Sequence, residues 1–561
     1  MKKAISLVLV LLMVFALAAC GNGTSSAGNT NENTPATTNP GSGNSAGTGS
    51  ALEGNPGENT NSVDGAEATV EKSDAVVHMA NDGDVGSWSP YGTEGVRQNF
   101  LRPIYETLGH MTSAPGLVMQ YVLAKEVNQV SDGVYDVTIY DYIHDTEGNH
   151  MTADDVVFSF EKYREAGVNL NYISSLKTIE AVNDYTVRMT LENERAGAMD
   201  TMFESVRIIT KAAYEASGDG MTENPVGTGG YKLAKYEPGS YAQLVRNEDY
   251  WQTDESLVAF MSMSNAAEVY IDVTPDASAQ TIALQSGDLN SSGYIKAQDL
   301  VNFVNDDLSA KPGYSVGVGL TSKMYTLIFN CSDNSLCSDI NLRKAIASCL
   351  DRTQLAEKAW GLIGVASEAV ISEYAKDYPT GFESRYKYDV EQAKAYLADS
   401  GYKGETLKLL VYNDLNSDTA TLFQAYCLAA GINIELLQYD KAMYSSMSLD
   451  NTGTQYDMEL AAPFCTGSAW DPMSIYNAEN YENGMPHICI NDDRLQELYM
   501  EMAMAATNSP ETTRAFCDYV DEMCYGYGIG TYWKLGICTD NFETVVLSQT
   551  GNLVPGACTY R

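Results

Sequence analysis

The sequence predicts an α/β protein of several structured units, and three observations carry that prediction. Its 561 residues are too many for one core, and about 150 residues per domain implies roughly three units once the N-terminal segments are set aside. Hydrophobic residues make up 44% of the chain and aromatics 10%, so sizeable cores can be built. Strand-like runs in the C-terminal half, "TLKLLVYN", "INIELLQY" and "YDMELAA", alternate with amphipathic helical stretches, as in an α/β layer.

Taken in order, the chain begins with Lys2 and Lys3 ahead of an apolar run from Ala4 to Ala19, short for a bilayer span but suited to the core of an export signal. The run ends in Leu17-Ala18-Ala19-Cys20-Gly21, which resembles the lipobox of bacterial lipoproteins. On that reading residues 1–19 are a signal peptide and Cys20 carries a diacylglycerol. From Gly21 to about Lys72 the chain is Gly, Asn, Ser, Thr, Ala and Pro with little to bury, so a disordered tether over 20–72 is expected. About 50 such residues span roughly 40 Å, enough for a folded body to turn freely above a membrane.

Order is expected from near Asp74, with a short strand "AVVHMAN", the loop "DGDVGSWSPYGTEG" and a helix over "VRQNFLRPIYETL". "YDVTIYDYI" alternates as a strand does. "MTADDVVFSFEKYREAG" reads as a helix capped by Thr152, with Asp155 completing a capping box and Val156, Phe160 and Tyr163 on one face. "TIEAVNDYTVRMTLEN" reads as a hairpin about Asn183-Asp184. Farther on, Leu342, Ala345, Ile346 and Cys349 fall at helical spacing, Asp389 caps a helix that Gly401 stops, and Ser509-Pro510 opens another.

The formal charge of −40, from 74 acidic and 34 basic residues, would repel nucleic-acid phosphates and anionic membrane surfaces alike. Attachment to a membrane then has to run through the lipid alone. Eleven cysteines include no CxxC pair; with Cys20 lipidated, ten remain, either paired or kept as buried thiols. No zinc or other metal and no cofactor is expected.

Motifs that suggest chemistry do not hold up. "ENPVGTGGYKLAKYEPGSYAQLVRNEDYW" packs Gly227, Gly229 and Gly230 together, but lacks the Lys and hydroxyl of a phosphate-binding loop and the last glycine of a dinucleotide fingerprint. The glycines read as a tight backbone bend leading into a hairpin, "YKLAKY" and "YAQLVRN" about a Glu237-Pro238-Gly239-Ser240 turn. A GxSxG at Gly43–Gly47 lies in the tether, where no strand and helix can flank it. The histidines, at 78, 110, 144, 150 and 487, include no HExxH pair, and His144, Asp145, His150 and Asp154 read as polar loop residues. The chain is not expected to be an enzyme.

Several stretches together resemble the extracytoplasmic solute-binding proteins of ABC importers, in the oligopeptide- and dipeptide-binding group of family 5. They are "RPIYETL", "HMTADDVVFSFEKYREA", "NPVGTGGYKLAKYEPGSYAQLVRNEDYW", "DASAQTIALQSGDLN", "IFNCSDNSLCSDINLRKAIASCLDR" and "YKYDVEQAKAYLADSGY", which follow the family's order from about residue 100 to 475. Gly230 stands where the family usually has proline.

The resemblance implies a two-lobed α/β (class II) fold with an extra small domain on the first lobe. Lobe 1 would be 73–112 with 222–325 and 526–561, the accessory domain 113–221, and lobe 2 326–525. It implies capture of a peptide or related solute in the cleft, delivery to an ABC permease, and a monomer anchored at the extracytoplasmic face of the membrane. A surface receptor for a signalling peptide is the alternative. Cleft residues are expected at Trp88, Glu94, Gly95, Tyr325, Ser468, Trp470, Asp471, Tyr532 and Trp533, with Trp251 assigned to packing. In peptide-binding members an aspartate lies three residues before the acidic residue of the "[DE]P" pair and grips the ammonium. Here the pair is Asp471-Pro472 and that position is Ser468, so either Asp471 or Glu94 takes the role or the ligand lacks an ordinary free amino end.

Overall fold

The computed structural model describes residues 60–561 except 93–96, 113–116, 169, 193, 413–416, 450–451, 466, 479–485 and 506. The expected signal peptide, Cys20, most of the expected tether, Glu94 and Gly95 lie outside the described residues. The last stretch expected in the tether is ordered. Ser62–Val63 pairs in parallel with Val545–Val546, and Glu71 N donates to Asn265 Oδ1 at 2.7 Å. Backbone pairing to a free strand edge needs no apolar side chain, which is why composition did not show it.

One sheet runs through the body. Its strand order is Asn433–Tyr439, Thr406–Tyr412, Met458–Ala461, Tyr325–Phe329, Gly526–Thr539, Ser291–Ser292, Val76–Asn81, Glu268–Val273, Tyr241–Arg246 and Tyr231–Glu237. Gly526–Thr539 is shared between two halves. Its first residues pair with Tyr325–Phe329 and Gly364–Ala366, and from Trp533 onward it pairs with Tyr314–Leu320 and Ser291–Ser292. Two large cores follow from this division. One gathers Leu327, Phe329, Ile346, Leu409, Phe423 and Phe516, the other Val77, Phe100, Phe160, Val187, Leu244 and Ile271. The fold is two-lobed α/β.

The small domain is a four-stranded antiparallel sheet, Ala124–Ser131, Val134–Ile139, Thr186–Leu191 and Leu176–Asn183 in spatial order, with the helix Ala153–Ala166 against it. Asp155 Oδ2 accepts from Thr152 N at 2.7 Å, closing the expected capping box. Val137, Phe160 and Val187 from this domain enter the first-lobe core, so the two share one apolar interior.

Two expectations need revising. The helix read over 96–108 is confined to Gln98–Leu101; Pro103 follows at once, with no N–H to continue it. The hairpin turn lies at Glu237–Ser240 between Tyr231–Glu237 and Tyr241–Arg246, as the sequence indicates, but the glycines at 227–230 do not serve to bend the chain into it. They let backbones touch instead. A Cβ on Gly227 would sit 2.1 Å from Ile104 O, and one on Gly229 2.3 Å from Pro103 O. The ten described cysteines are buried free thiols, the Cys349 and Cys427 sulfurs lying 3.9 Å apart.

Candidate ligand-binding cleft

The strands Val76–Asn81 and Ser291–Ser292 run parallel side by side, so both release their chains at the same edge of the sheet. In open α/β sheets ligands lie outside such carboxyl ends. Asn81 and Asp82 leave the first strand there, and Gly293 and Tyr294 the second. Asn99 Nδ2 donates to Asn81 Oδ1 at 2.7 Å, tying the short helix to this edge. Lys534 completes the group. Its Nζ donates to Asn552 Oδ1 at 2.8 Å and Thr550 O at 3.2 Å, and lies 6.0 Å from the Tyr294 ring. Desolvation holds the Lys534 ammonium down to about 8; the charge of Lys323 pushes the same way and Asp82 opposes. Burial raises the Asp82 carboxyl.

Beside this edge the chain passes between the lobes at two adjacent points. Leu320 stands opposite Trp533, and the chain continues through 321–324 into Tyr325. Thr321 N donates to Tyr532 O at 3.3 Å and Thr531 Oγ1 to Lys323 O at 2.8 Å, so the crossings are bonded to each other. Tyr325, Tyr532 and Trp360 form an aromatic cluster there. Trp360 lies 4.7 Å from Tyr325 and 5.7 Å from Tyr532, nearly parallel to the latter. The buried indole N–H of Trp360 has no partner. Trp533 is half-buried and packs against the second-lobe core and against a smaller cluster around Leu300 and Phe303.

Farther out, residues 195–200 of the small domain touch the second lobe. Ser468 Oγ lies 3.2 Å from Ala196 O and 2.8 Å from Asn508 Oδ1, and Trp470 Nε1 donates to Ala196 O at 2.7 Å. The Arg195 guanidinium sits 5.0 Å from the Trp470 ring centre, and Lys376 pairs with Asp200 at 2.7 Å. Asp471 opens the short helix Trp470–Met473, its N–H donating to Ser468 O at 3.3 Å. Ser468, Trp470 and Asp471 thus form one group at the rim, and Tyr325, Tyr532 and Trp533 another at the hinge. Trp88 joins neither. It is 1% exposed in the first-lobe core, edge-on to Phe100 and Tyr236. Trp251 is buried and donates to Glu106 Oε2 at 2.8 Å.

A polar cavity of about 70 Å³ lies between the small domain and the first lobe, lined by Arg102, His110, Glu204, Arg207 and Gln549 among others, with Phe464 at its edge. It has room for a few waters rather than a peptide. Burial pushes the Glu204 carboxyl up to about 7 against the pull of Arg102, whose Nη2 is 3.5 Å away. Burial likewise pushes the His110 imidazole down to about 3, helped by Arg102 and Arg207. Gln549 Oε1 accepts from Tyr374 OH of the second lobe at 2.6 Å, which connects this cluster to the other half.

Sequence reasoning missed Trp360, Lys534, Asp82 and Glu204. For Lys534 a signal was present: it is the one charged residue in the fourteen of "GYGIGTYWKLGICT". The others carry none, because their neighbours at the site are remote in the chain. His144, Asp145 and His150 lie in a loop, where Asp145 accepts from Glu147 N and Asn149 N at 2.9 and 3.0 Å, whereas Asp154 stands in the first turn of the helix Ala153–Ala166. Among the described residues there is no group of three or more metal-ligating side chains.

The sequence profile of the bacterial extracellular solute-binding proteins, family 5 Middle, matches residues 118–485. The oligopeptide-binding protein AppA of Bacillus subtilis is 24% identical over 421 residues, 69% of this chain and 73% of that one. The crystal structure of AppA with a nonapeptide superposes with a TM-score of 0.67 at 18% identity, covering 88% of this chain and all of that one. HbpA2 of Haemophilus parasuis superposes with a TM-score of 0.75 at 16% identity, covering 87% of this chain and all of that one.

Proposed function

Because this chain belongs to the bacterial extracellular solute-binding proteins of family 5, we propose that it captures a peptide or related solute between its two lobes and hands it to an ABC permease. The observation that carries the reading is the pair of bonded crossings at 320–325 and 532–533. Rotation about two neighbouring strands can open or close a cleft while leaving both cores intact. The rim contacts of Ala196 with Ser468 and Trp470 are what closure would make. A peptide ligand is supported by the oligopeptide-binding relative and its nonapeptide complex.

Within this reading Tyr325, Tyr532 and Trp533 give the ligand apolar walls with polar edges, joined by Trp360. Glu94 and Gly95, which lie outside the described residues, are further ligand contacts on this reading. Ser468, Trp470 and Asp471 form the closing side, and Trp88 supports the first-lobe wall from behind. The protein acts outside the cytoplasm as a monomer, held by a lipid on Cys20, and leaves its solute chemically unchanged. No helix among the described residues is long and apolar enough to cross a membrane, so the attachment we propose rests on that lipid.

Native mass spectrometry of the mature chain, purified without refolding, tests the reading. A peptide-sized adduct that denaturation releases is expected, with a more compact scattering profile when it is bound. Turnover of bound peptide by the pure protein, or profiles unchanged across peptides that bind, would overturn it.

A further inference from the structure

Among the described residues, two ammonium groups at the cleft floor have no carboxylate within ion-pair distance. Lys534 is clamped: a Cβ on Gly551 would lie 2.6 Å from its Cδ, so the side chain runs tightly between its strand and the 549–552 loop. Its two partners, Thr550 O and Asn552 Oδ1, are neutral. Lys323 lies in the other crossing, half-buried, its carbonyl held by Thr531 Oγ1 and its backbone bridged to Phe464. Among the described residues neither Nζ has a carboxylate within the 4.0 Å of an ion pair. The charges acting on Lys534 from the packed elements are Lys323 and, in opposition, Asp82 at the end of Val76–Asn81. Tyr294, from the neighbouring strand end, offers only its ring.

A desolvated cation with neutral acceptors alone gains more from an anion than an exposed one, because a charge-assisted bond then replaces a weak one. The rest of the chain makes this arrangement unusual: its acidic residues outnumber basic ones 74 to 34, yet among the described residues the two lysines at the crossing form no ion pair. At the rim, Ser468 offers a neutral hydroxyl engaged with Ala196 and Asn508. We propose that Lys534, assisted by Lys323, recognises an anionic group of the captured solute, a carboxylate at the end or on a side chain of a peptide. The inference rests on the peptide-capture reading.

The test offers the mature full-length chain matched pools of random hexapeptides with free carboxyl ends, with amidated ends, and with amidated ends plus one fixed Glu or one fixed Gln. Retention of the free-acid pool, the Glu-containing amide pool, or both is expected to exceed that of the Gln-containing amides by about tenfold or more, and which pool leads identifies the source of the carboxylate. Lys534→Gln levels the pools, Lys534→Arg keeps the preference, and Lys323→Gln narrows it, each variant being checked for unchanged circular dichroism and melting. The preference also shrinks between pH 7 and 9, as the Lys534 ammonium loses its proton near 8. Equal retention of all pools, or a preference that survives in Lys534→Gln, overturns the inference while peptide capture stands. Retention of no pool overturns peptide capture itself, and the inference with it.

Discussion

Trp470 reaches across the cleft rim to Ala196, its indole Nε1 donating to the carbonyl at 2.7 Å while the Arg195 guanidinium covers its ring. Both contacts join the second lobe to the small domain, and both would be lost when the lobes part. Trp470→Phe keeps a ring for Arg195 and removes the hydrogen bond, a loss of about 1 kcal/mol. Retention of a bound peptide is therefore expected to weaken about fivefold, chiefly through faster release, because closure is the state affected. Calorimetry and stopped-flow release on the same peptide check this; unchanged release would mean that the contact does not hold the cleft shut.

Glu204 makes stability depend on pH in a definite direction. Its folded value of about 7 lies above the ordinary 4.5 because burial disfavours the carboxylate. Between those values the folded chain binds more protons at this site than the unfolded one, so the Glu204 contribution falls as pH rises from about 4.5 to 7 and levels off above. His110, held neutral by burial, acts in the opposite sense below 6.5. Comparing Glu204→Gln with the parent chain cancels that term. The variant is expected to be more stable by on the order of 1–3 kcal/mol at pH 8, with the difference gone by about pH 4.5. Urea unfolding at both pH values measures it.

Gly227 meets the backbone of Ile104 so closely that the smallest side chain cannot enter. Gly227→Ala should cost at least about 2 kcal/mol, since the neighbour is a carbonyl and not a side chain that can swing away. The denaturant midpoint would fall with little change in slope. Gly239, at φ 73° with nothing near its Cβ position, should respond less steeply to alanine, through backbone strain alone.

On the peptide-capture proposal, Ser468 bears on how a ligand's amino end is read. Its hydroxyl is within bonding distance of Ala196 O and Asn508 Oδ1, and a hydroxyl cannot supply the roughly 1.5–3 kcal/mol of a charge-assisted bond to an ammonium. Free and N-acetylated forms of one peptide are expected to raise the melting temperature equally. A large loss on acetylation would show that another carboxylate, Asp471 or Glu94, takes the ammonium.

Much of the local structure could be read before any coordinates. The box at Thr152 and Asp155, the caps at Asp389 and Ser509 and the hairpin at Asn183-Asp184 appear where the residues indicated, because caps and turns depend on neighbours within four positions. The helix after Arg97 ends at Leu101, short of the apolar run over 96–108, because Pro103 has no N–H to continue it. The close approach made by the glycines at 227–230 is not legible in the sequence, because the backbone they touch, at 103–104, is over a hundred residues away.

The sequence by itself determined the fold class, the absence of a phosphate loop and the family resemblance, since these depend on periodicity, spacing and motif order along the chain. Only the tertiary structure decided which residues gather at the crossings between the lobes. Tyr325, Trp360 and Tyr532 come together, as do Lys323 and Lys534, because one strand is divided between two lobes; burial, charge pairing and orphaned donors are properties of that proximity in space.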